Sequence, residues 1–292
     1  MFSIHEDKAL LDLLASIGEK PYRLKQIHQE FYKNLVLDFS EMTSLPAKLR
    51  ESLASSVQTT DLTIDVTHRS EDGQTTKILL KTHDDRRIEA VIMRHLSGRT
   101  TLCISCQAGC PMACSFCATG TLGLERNLSV GEILDQITIA KTLLAKEQRE
   151  LRNIVFMGMG EPLTNYDNVC EAIRILSDQK KWDFSSRRIT VSTCGIAPKI
   201  VAFGREFPQV SLAISLHAPN DTARSDVMPV NKTYPLEVLM AALDEYVAIT
   251  NKRVFYEYIM IAGVTDRLPY ADELATLLAG RMAHVNFIPY NA

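Results

Sequence analysis

Long apolar runs are missing from this sequence. Nowhere in its 292 residues do the roughly 20 consecutive apolar residues of a membrane-spanning helix occur. The opening, MFSIHEDKALLDLLASIGEK, carries acidic residues and no unbroken apolar core, so it reads poorly as a secretory signal. A cytoplasmic location with no membrane partner is the expectation. An excess of one charge is missing too: 32 Lys and Arg stand against 35 Asp and Glu, a formal net charge of −3. No global basic field marks a nucleic-acid binder, and the first sixty residues are not a basic arm. Repeats and low-complexity linkers are absent. What remains is the composition of a globular protein, 46% hydrophobic, long enough for one large domain and a small one.

The pattern changes twice along the chain. Residues 1–60 read as a small helical domain. LDLLASI and RLKQIHQEFYKNL place apolar residues at three-to-four spacing, Pro21 sits where a helix could begin, and a further short helix is expected after Pro46. Over 61–98, LTIDVTH, TKILLKT and RRIEAVIMRH are short β-rich runs broken by the polar turns EDGQ and HDDR, an antiparallel meander. Over 99–292 six apolar, β-branched runs follow: TTLCIS, NIVFMGM, RITVSTC, QVSLAISL, RVFYEYIMI and HVNFIP. Helical stretches at roughly 129–147, 166–179, 197–206, 235–249 and 269–280 separate them. Buried parallel strands read this way. The fold class expected is α/β, an incomplete (β/α)6 barrel preceded by the helical domain and the meander. An open doubly wound sheet is the alternative that periodicity leaves open.

Seven cysteines are present, and five of them fall within fifteen residues, in CISCQAGCPMACSFC. In a reducing compartment such crowding points to metal binding or catalysis rather than disulfides. Cys110, Cys114 and Cys117 form C-x3-C-x2-C. Three thiolates can hold three irons of a [4Fe-4S] cluster and leave the fourth open to the amino and carboxylate groups of S-adenosylmethionine (SAM). The segment follows the first barrel-type run, and barrel sites gather at the C-terminal ends of strands. A tetrahedral zinc drawing on Cys103 and Cys106 as well is the competing reading.

Three downstream segments complete the picture: MGMGEPLTN (157–165), VSTCGI (191–196) and SLHAPND (215–221). Together with the cysteine motif, the terminal HVNFIPYN and the N-terminal RLKQIHQEFYKN and DFSEMTSLP, the chain resembles the radical-SAM family of dual-specificity adenine-C2 RNA methyltransferases. C8-methylating antibiotic-resistance relatives share most of these motifs. The resemblance implies that Gly160, Glu161, Ser192, Ser215, Leu216, His217 and Asn291 line the SAM pocket. It implies that Glu89 is the base that deprotonates the adenine carbon, and that Cys103 resolves a covalent enzyme–RNA adduct. Each has a bland alternative: a helix-start turn with Glu161 at N1 and Pro162 at N2, a strand-end hydroxyl, a structural histidine, a solvent-facing strand glutamate, a buried thiol. Cys106 carries no implied role, and Cys170 and Cys194 read as packing.

The implied substrates are large-subunit (23S) rRNA and tRNA next to the anticodon. The implied electron donor is a protein such as flavodoxin, and a monomer is expected. The resemblance also implies a methyl-carrying cysteine near the C-terminus, yet no cysteine follows Cys194. The chain stops at the end of the sixth apolar run, so a truncated chain of doubtful activity is expected. A radical-SAM enzyme of other specificity and a non-catalytic zinc-bearing RNA-binding protein remain as alternatives.

Overall fold

Apolar β-branched runs become strands because their side chains pack on a pleated surface, and each of the six runs yields one. The computed structural model describes residues 1–290. In chain order the elements are β1 (Phe2–Ser3), α1 (Asp7–Ser16), α2 (Arg23–His28), α3 (Ala47–Ser56), β2 (Val57–Gln58), β3 (Thr63–Arg69), β4 (Thr75–Lys81), β5 (Arg87–Arg94), β6 (Thr100–Cys103), β7 (Gln107–Gly109), α4 (Ala118–Leu122), β8 (Leu124–Asn127), α5 (Val130–Lys146), β9 (Asn153–Phe156), α6 (Tyr166–Ser177), β10 (Ile189–Thr193), α7 (Ala197–Glu206), β11 (Ser211–Ser215), α8 (Asp221–Val227), α9 (Leu236–Thr250), β12 (Val254–Met260), α10 (Leu268–Leu278) and β13 (Ala283–Pro289). None of the helices is long and apolar enough to cross a membrane, among the described residues.

The chain divides into two compact units. The first comprises residues 1–104, 128–153 and 167–185. Its helical part closes on an aromatic core, where Tyr32 meets Phe31 and Trp182 edge-on with ring centroids 4.9 and 5.1 Å away. Helix α5 starts where a capping box permits: Ser129 Oγ accepts from Glu132 N, and Glu132 returns a carboxylate oxygen to Ser129 N. Strands β3, β4 and β5 form the antiparallel meander. One face, with Ile78, Leu80, Ile88, Ala90 and Ile92, is buried; the alternate residues Lys77, Glu89 and Val91 lie on the other. Strand β6 pairs antiparallel with β5. TTLCIS, read from the sequence as the first barrel strand, thus also carries the meander on its other edge, a pairing that periodicity could not reveal.

The second unit comprises, of the described residues, 105–127, 154–166 and 186–290. Strands β9 to β13 pair parallel in chain order, with Val191 opposite Phe156 and Leu212, and Ile214 opposite Tyr256. Val191, Leu212, Ala213 and Ile214 have no exposed surface. Helices α7 and α9 pack closely enough that a Cβ on Gly204 would meet the Tyr246 ring at 2.7 Å. Besides the short helix α4, a hairpin and a further helix were not anticipated. A short hairpin, β7 with β8, brackets the cysteine segment. Helix α8 follows the APND loop, opened by Asn220, whose side chain accepts from Ala223 N.

Candidate cofactor-binding site

The cysteine loop is tied at its neck. Cys110 N donates to Gly123 O at 2.9 Å, and Gly109, at φ +77°, lies so close that any Cβ there would collide with the same carbonyl. Within the loop Cys117 N donates to Cys114 O, and Ser115 N donates to Val227 O at the end of α8. The thiols of Cys110, Cys114 and Cys117 line one cavity of ≈ 280 Å³ together with Gly160, Glu161, Ser192, Ser215 and His217. The sequence reading therefore brought together residues that are scattered over a hundred positions. Leu216 is fully buried and contributes instead its backbone N–H, donated to Glu257 O. Asn291 lies outside the described residues.

Glu161 does not start a helix. It sits in the turn ahead of α6, which begins at Tyr166, so the helix-start alternative is not what forms. Its side chain is 3% exposed at the residue level and its oxygens are both occupied, Oε1 by Leu163 N at 3.0 Å and Oε2 by Cys194 N at 2.8 Å. Burial pushes this carboxyl up, while the bonds from Cys194, Thr193 and Leu163 hold it back. Gly160 adopts φ +101°, and a Cβ there would stand 2.6 Å from Gln107 Cβ. Gln107 explains the closeness: its Oε1 accepts from Glu161 N at 2.8 Å, and its Nε2 donates to Asn127 and Thr164. His217, at φ +58°, accepts a bond from Ile259 N at its Nδ1, so the ring proton belongs on Nε2. Burial, with help from Arg224, drives its pKa down to about 3, so it is a neutral imidazole.

The donor set fits an iron–sulfur cluster: the loop from Cys110 to Cys117 offers three thiols and no carboxylate or imidazole, and all three cysteines line the same cavity. Three thiolates suffice for three irons of a cubane and leave the fourth open. Burial pushes the Cys110 thiol up to about 11 and the Cys114 thiol up to about 12, so a cation must draw them into thiolates. Cys106 is buried and directs its thiol at Met159 O.

Glu89 and Cys103 belong to the first unit. Cys103 stands opposite Val91 and Glu89 lies two residues along β5, so the two are diagonal neighbours on the outer face of the meander. Glu89 is bound to Lys77 Nζ at 2.5 Å, with 37% of its side chain exposed.

Known proteins carry the same design. Residues 104–273 match the model of the radical SAM superfamily, and residues 5–58 match the ribosomal RNA large subunit methyltransferase N-terminal domain. A probable dual-specificity RNA methyltransferase RlmN of Geobacillus kaustophilus is 45% identical over 97% of this chain and 77% of its own length. The dual-specificity RNA methyltransferase RlmN of Syntrophobacter fumaroxidans is 44% identical over 97% and 81%. The chain belongs to the RlmN family. A crystal structure of a radical SAM methyltransferase from Sphaerobacter thermophilus superposes with a TM-score of 0.96 at 45% identity, over 100% of this chain and 86% of that one. The α/β partial barrel of radical-SAM enzymes is thus the fold, and the doubly wound alternative falls away.

Sequence reasoning passed over several groups of this RlmN-family site. Gln107 carries the backbone of Glu161. Phe116 stacks edge-on to His217 with centroids 4.7 Å apart. Glu257 lines the cavity, bound to Asn286 and pushed up by burial. Cys194, read as packing, lines it too. Phe116 and Cys194 sit inside the CISCQAGCPMACSFC and VSTCGI motifs, and Cys194 was legible as a strand-end residue on the SAM rim, but the contacts of all four emerge only from their convergence.

Proposed function

We propose that this chain carries the catalytic framework of a radical-SAM RNA methyltransferase that acts on C2 of adenine in large-subunit rRNA and in tRNA, in the cytoplasm. The observation that carries the reading is the single cavity that joins three cluster-spaced thiols to the polar rim of Glu161, Ser192, Ser215 and His217. Cys110, Cys114 and Cys117 would hold the cluster. Bound together, the cluster and SAM supply a reductively formed 5′-deoxyadenosyl radical.

The chain's own residues set the conditions. Glu161 fixes the turn that carries Gly160, and its buried carboxyl offers its remaining lone pairs to an ammonium group. His217, neutral and with its proton on Nε2, presents a donor that stays uncharged at pH 7. On the meander, Glu89 takes up the proton from the adenine carbon, with Lys77 orienting the carboxylate. Cys103, on the same face, supplies the thiol that releases the adduct.

A reduced, cluster-loaded sample of these 292 residues is expected to cleave SAM to 5′-deoxyadenosine slowly and without RNA. A version extended by a carrier cysteine should methylate an rRNA fragment, read by mass spectrometry of its adenines. Methyl groups at C8 in place of C2 would reassign the specificity. SAM cleavage with RNA left untouched by the extended protein would reassign the substrate.

A further inference from the structure

Arg224 is the bulkiest of the fully buried side chains, with none of its surface exposed. It stands on α8, the helix no sequence pattern announced. Its Nε donates to Leu216 O at 3.1 Å, Nη1 to Asn231 Oδ1 at 2.8 Å, and Nη2 to Cys194 O at 2.6 Å and Ser215 O at 3.2 Å. Every one of these acceptors is neutral. Asp221 acts on the guanidinium only at longer range, and one of its carboxylate oxygens is occupied by Asn231 Nδ2 and Leu236 N. A guanidinium cannot shed its proton, and a buried charge without a counter-charge is costly.

The compensating charge has an obvious place. Val227, three residues along α8, holds the cysteine loop through Ser115 N. Cys114 and Phe116 pack against Cys194, Val227 and Met228, and Arg224 holds the carbonyl of that same Cys194. Three thiolates around an oxidised cluster core leave a net negative charge, and one electron adds to it. We propose that Arg224 is the buried counter-charge of the cluster held by Cys110, Cys114 and Cys117, and that it raises the cluster's reduction potential. This rests on the cluster reading above. The redox step is the transfer of one electron from a low-potential one-electron donor into the cluster; a fixed cation nearby favours the reduced, more negative form. Three of these four hydrogen bonds, to Cys194 O, Ser215 O and Leu216 O, tie the ends of β10 and β11 to this charge, so Arg224 is a positioning residue for the SAM rim as well.

A purely structural arginine would change stability and cluster loading without moving the potential. The test is an anaerobic redox titration with dithionite, followed by electron paramagnetic resonance, on reconstituted full chains of known iron content. Arg224→Gln should lower the one-electron reduction constant at least tenfold, which is 59 mV. Arg224→Lys keeps the charge and should stay within threefold of the parent. A fall with Lys equal to that with Gln would overturn the charge role, as would an iron-loaded Gln variant within threefold of the parent. Should Arg224→Gln fail to fold, Arg224→Met, a neutral chain of similar length, decides: its potential should fall by the same tenfold, and an iron-loaded variant within threefold of the parent overturns the proposal. A parent chain that takes up no iron defeats the cluster reading itself, a distinct result.

Discussion

Around the cysteine cavity of the second unit the polar groups are already committed. Glu161 accepts two backbone N–H groups, His217 accepts one, and Gln107 serves three partners. The outer face of the meander in the first unit is built the other way. Strand β3 is exposed along its whole length, and Glu89 is held by a lysine that is itself 48% exposed. A concave, pre-bonded cavity suits a small cofactor, whose few contacts must be set in advance. An open face suits a macromolecule that brings its own surface and excludes water on arrival. The contrast says where substitutions should hurt: in the cavity they should cost cofactor and stability, and on the meander they should cost chemistry alone.

The largest effect should come from the cluster ligands. Cys110→Ala, Cys114→Ala and Cys117→Ala should each abolish iron uptake on anaerobic reconstitution, whereas Cys103→Ala and Cys106→Ala should retain it. Iron analysis and the brown absorbance check this; retention of iron without Cys114 would break the assignment. Next comes Gly160→Ala. A Cβ 2.6 Å from Gln107 on a backbone at φ +101° should cost about 1–3 kcal/mol in urea unfolding. SAM binding, measured by calorimetry, should weaken with it.

His217 gives a smaller effect that depends on pH. Its pKa is lowered from 6.5 to about 3 by burial first and Arg224 second. Between these values the unfolded chain binds a proton that the native one does not, so stability falls as pH drops from 6.5 toward 3 and is unaffected above 7. The slope contributed is at most about 1.4 kcal/mol per pH unit. His217→Asn, which tolerates positive φ, should flatten that part of the urea-midpoint profile. An identical slope in parent and variant would place the proton elsewhere.

The smallest effect belongs to the meander. A half-exposed ion pair is worth about 0–1 kcal/mol, so Glu89→Gln should leave the unfolding midpoint almost unmoved. It should leave SAM cleavage intact as well. In a version with a carrier cysteine the same change should accumulate a covalent protein–RNA species, seen as a slow band on a denaturing gel. Loss of SAM cleavage in Glu89→Gln would erase the division of labour between the two regions.

Much of this arrangement could be read in the sequence, and the rest was hidden for physical reasons. The six apolar runs are strands because β-branched side chains suit a buried sheet whatever surrounds them, and α5 and α7 lie close to their periodic stretches. Helix α8 was hidden because DTARSDV has no apolar stripe; Asn220 caps it locally, but the bond that anchors it, from Arg224 to Cys194 O, spans 30 residues. The antiparallel partner of β6 was hidden because strand direction leaves no trace in composition. Glu161 was legible as a carboxylate after a glycine, but its two backbone bonds were not, since Cys194 is 33 residues away. Cys103 and Glu89 acquire a shared face only through the pairing of β5 with β6.

The central claim is that one cavity in the second unit holds both the cluster and SAM. Its most direct measurement is iron content and 5′-deoxyadenosine formation on the same anaerobically reconstituted, dithionite-reduced sample. The account predicts roughly four irons per chain and 5′-deoxyadenosine that disappears in Cys114→Ala. Stoichiometric zinc with no cleavage of SAM, lost on changing Cys103, would contradict it.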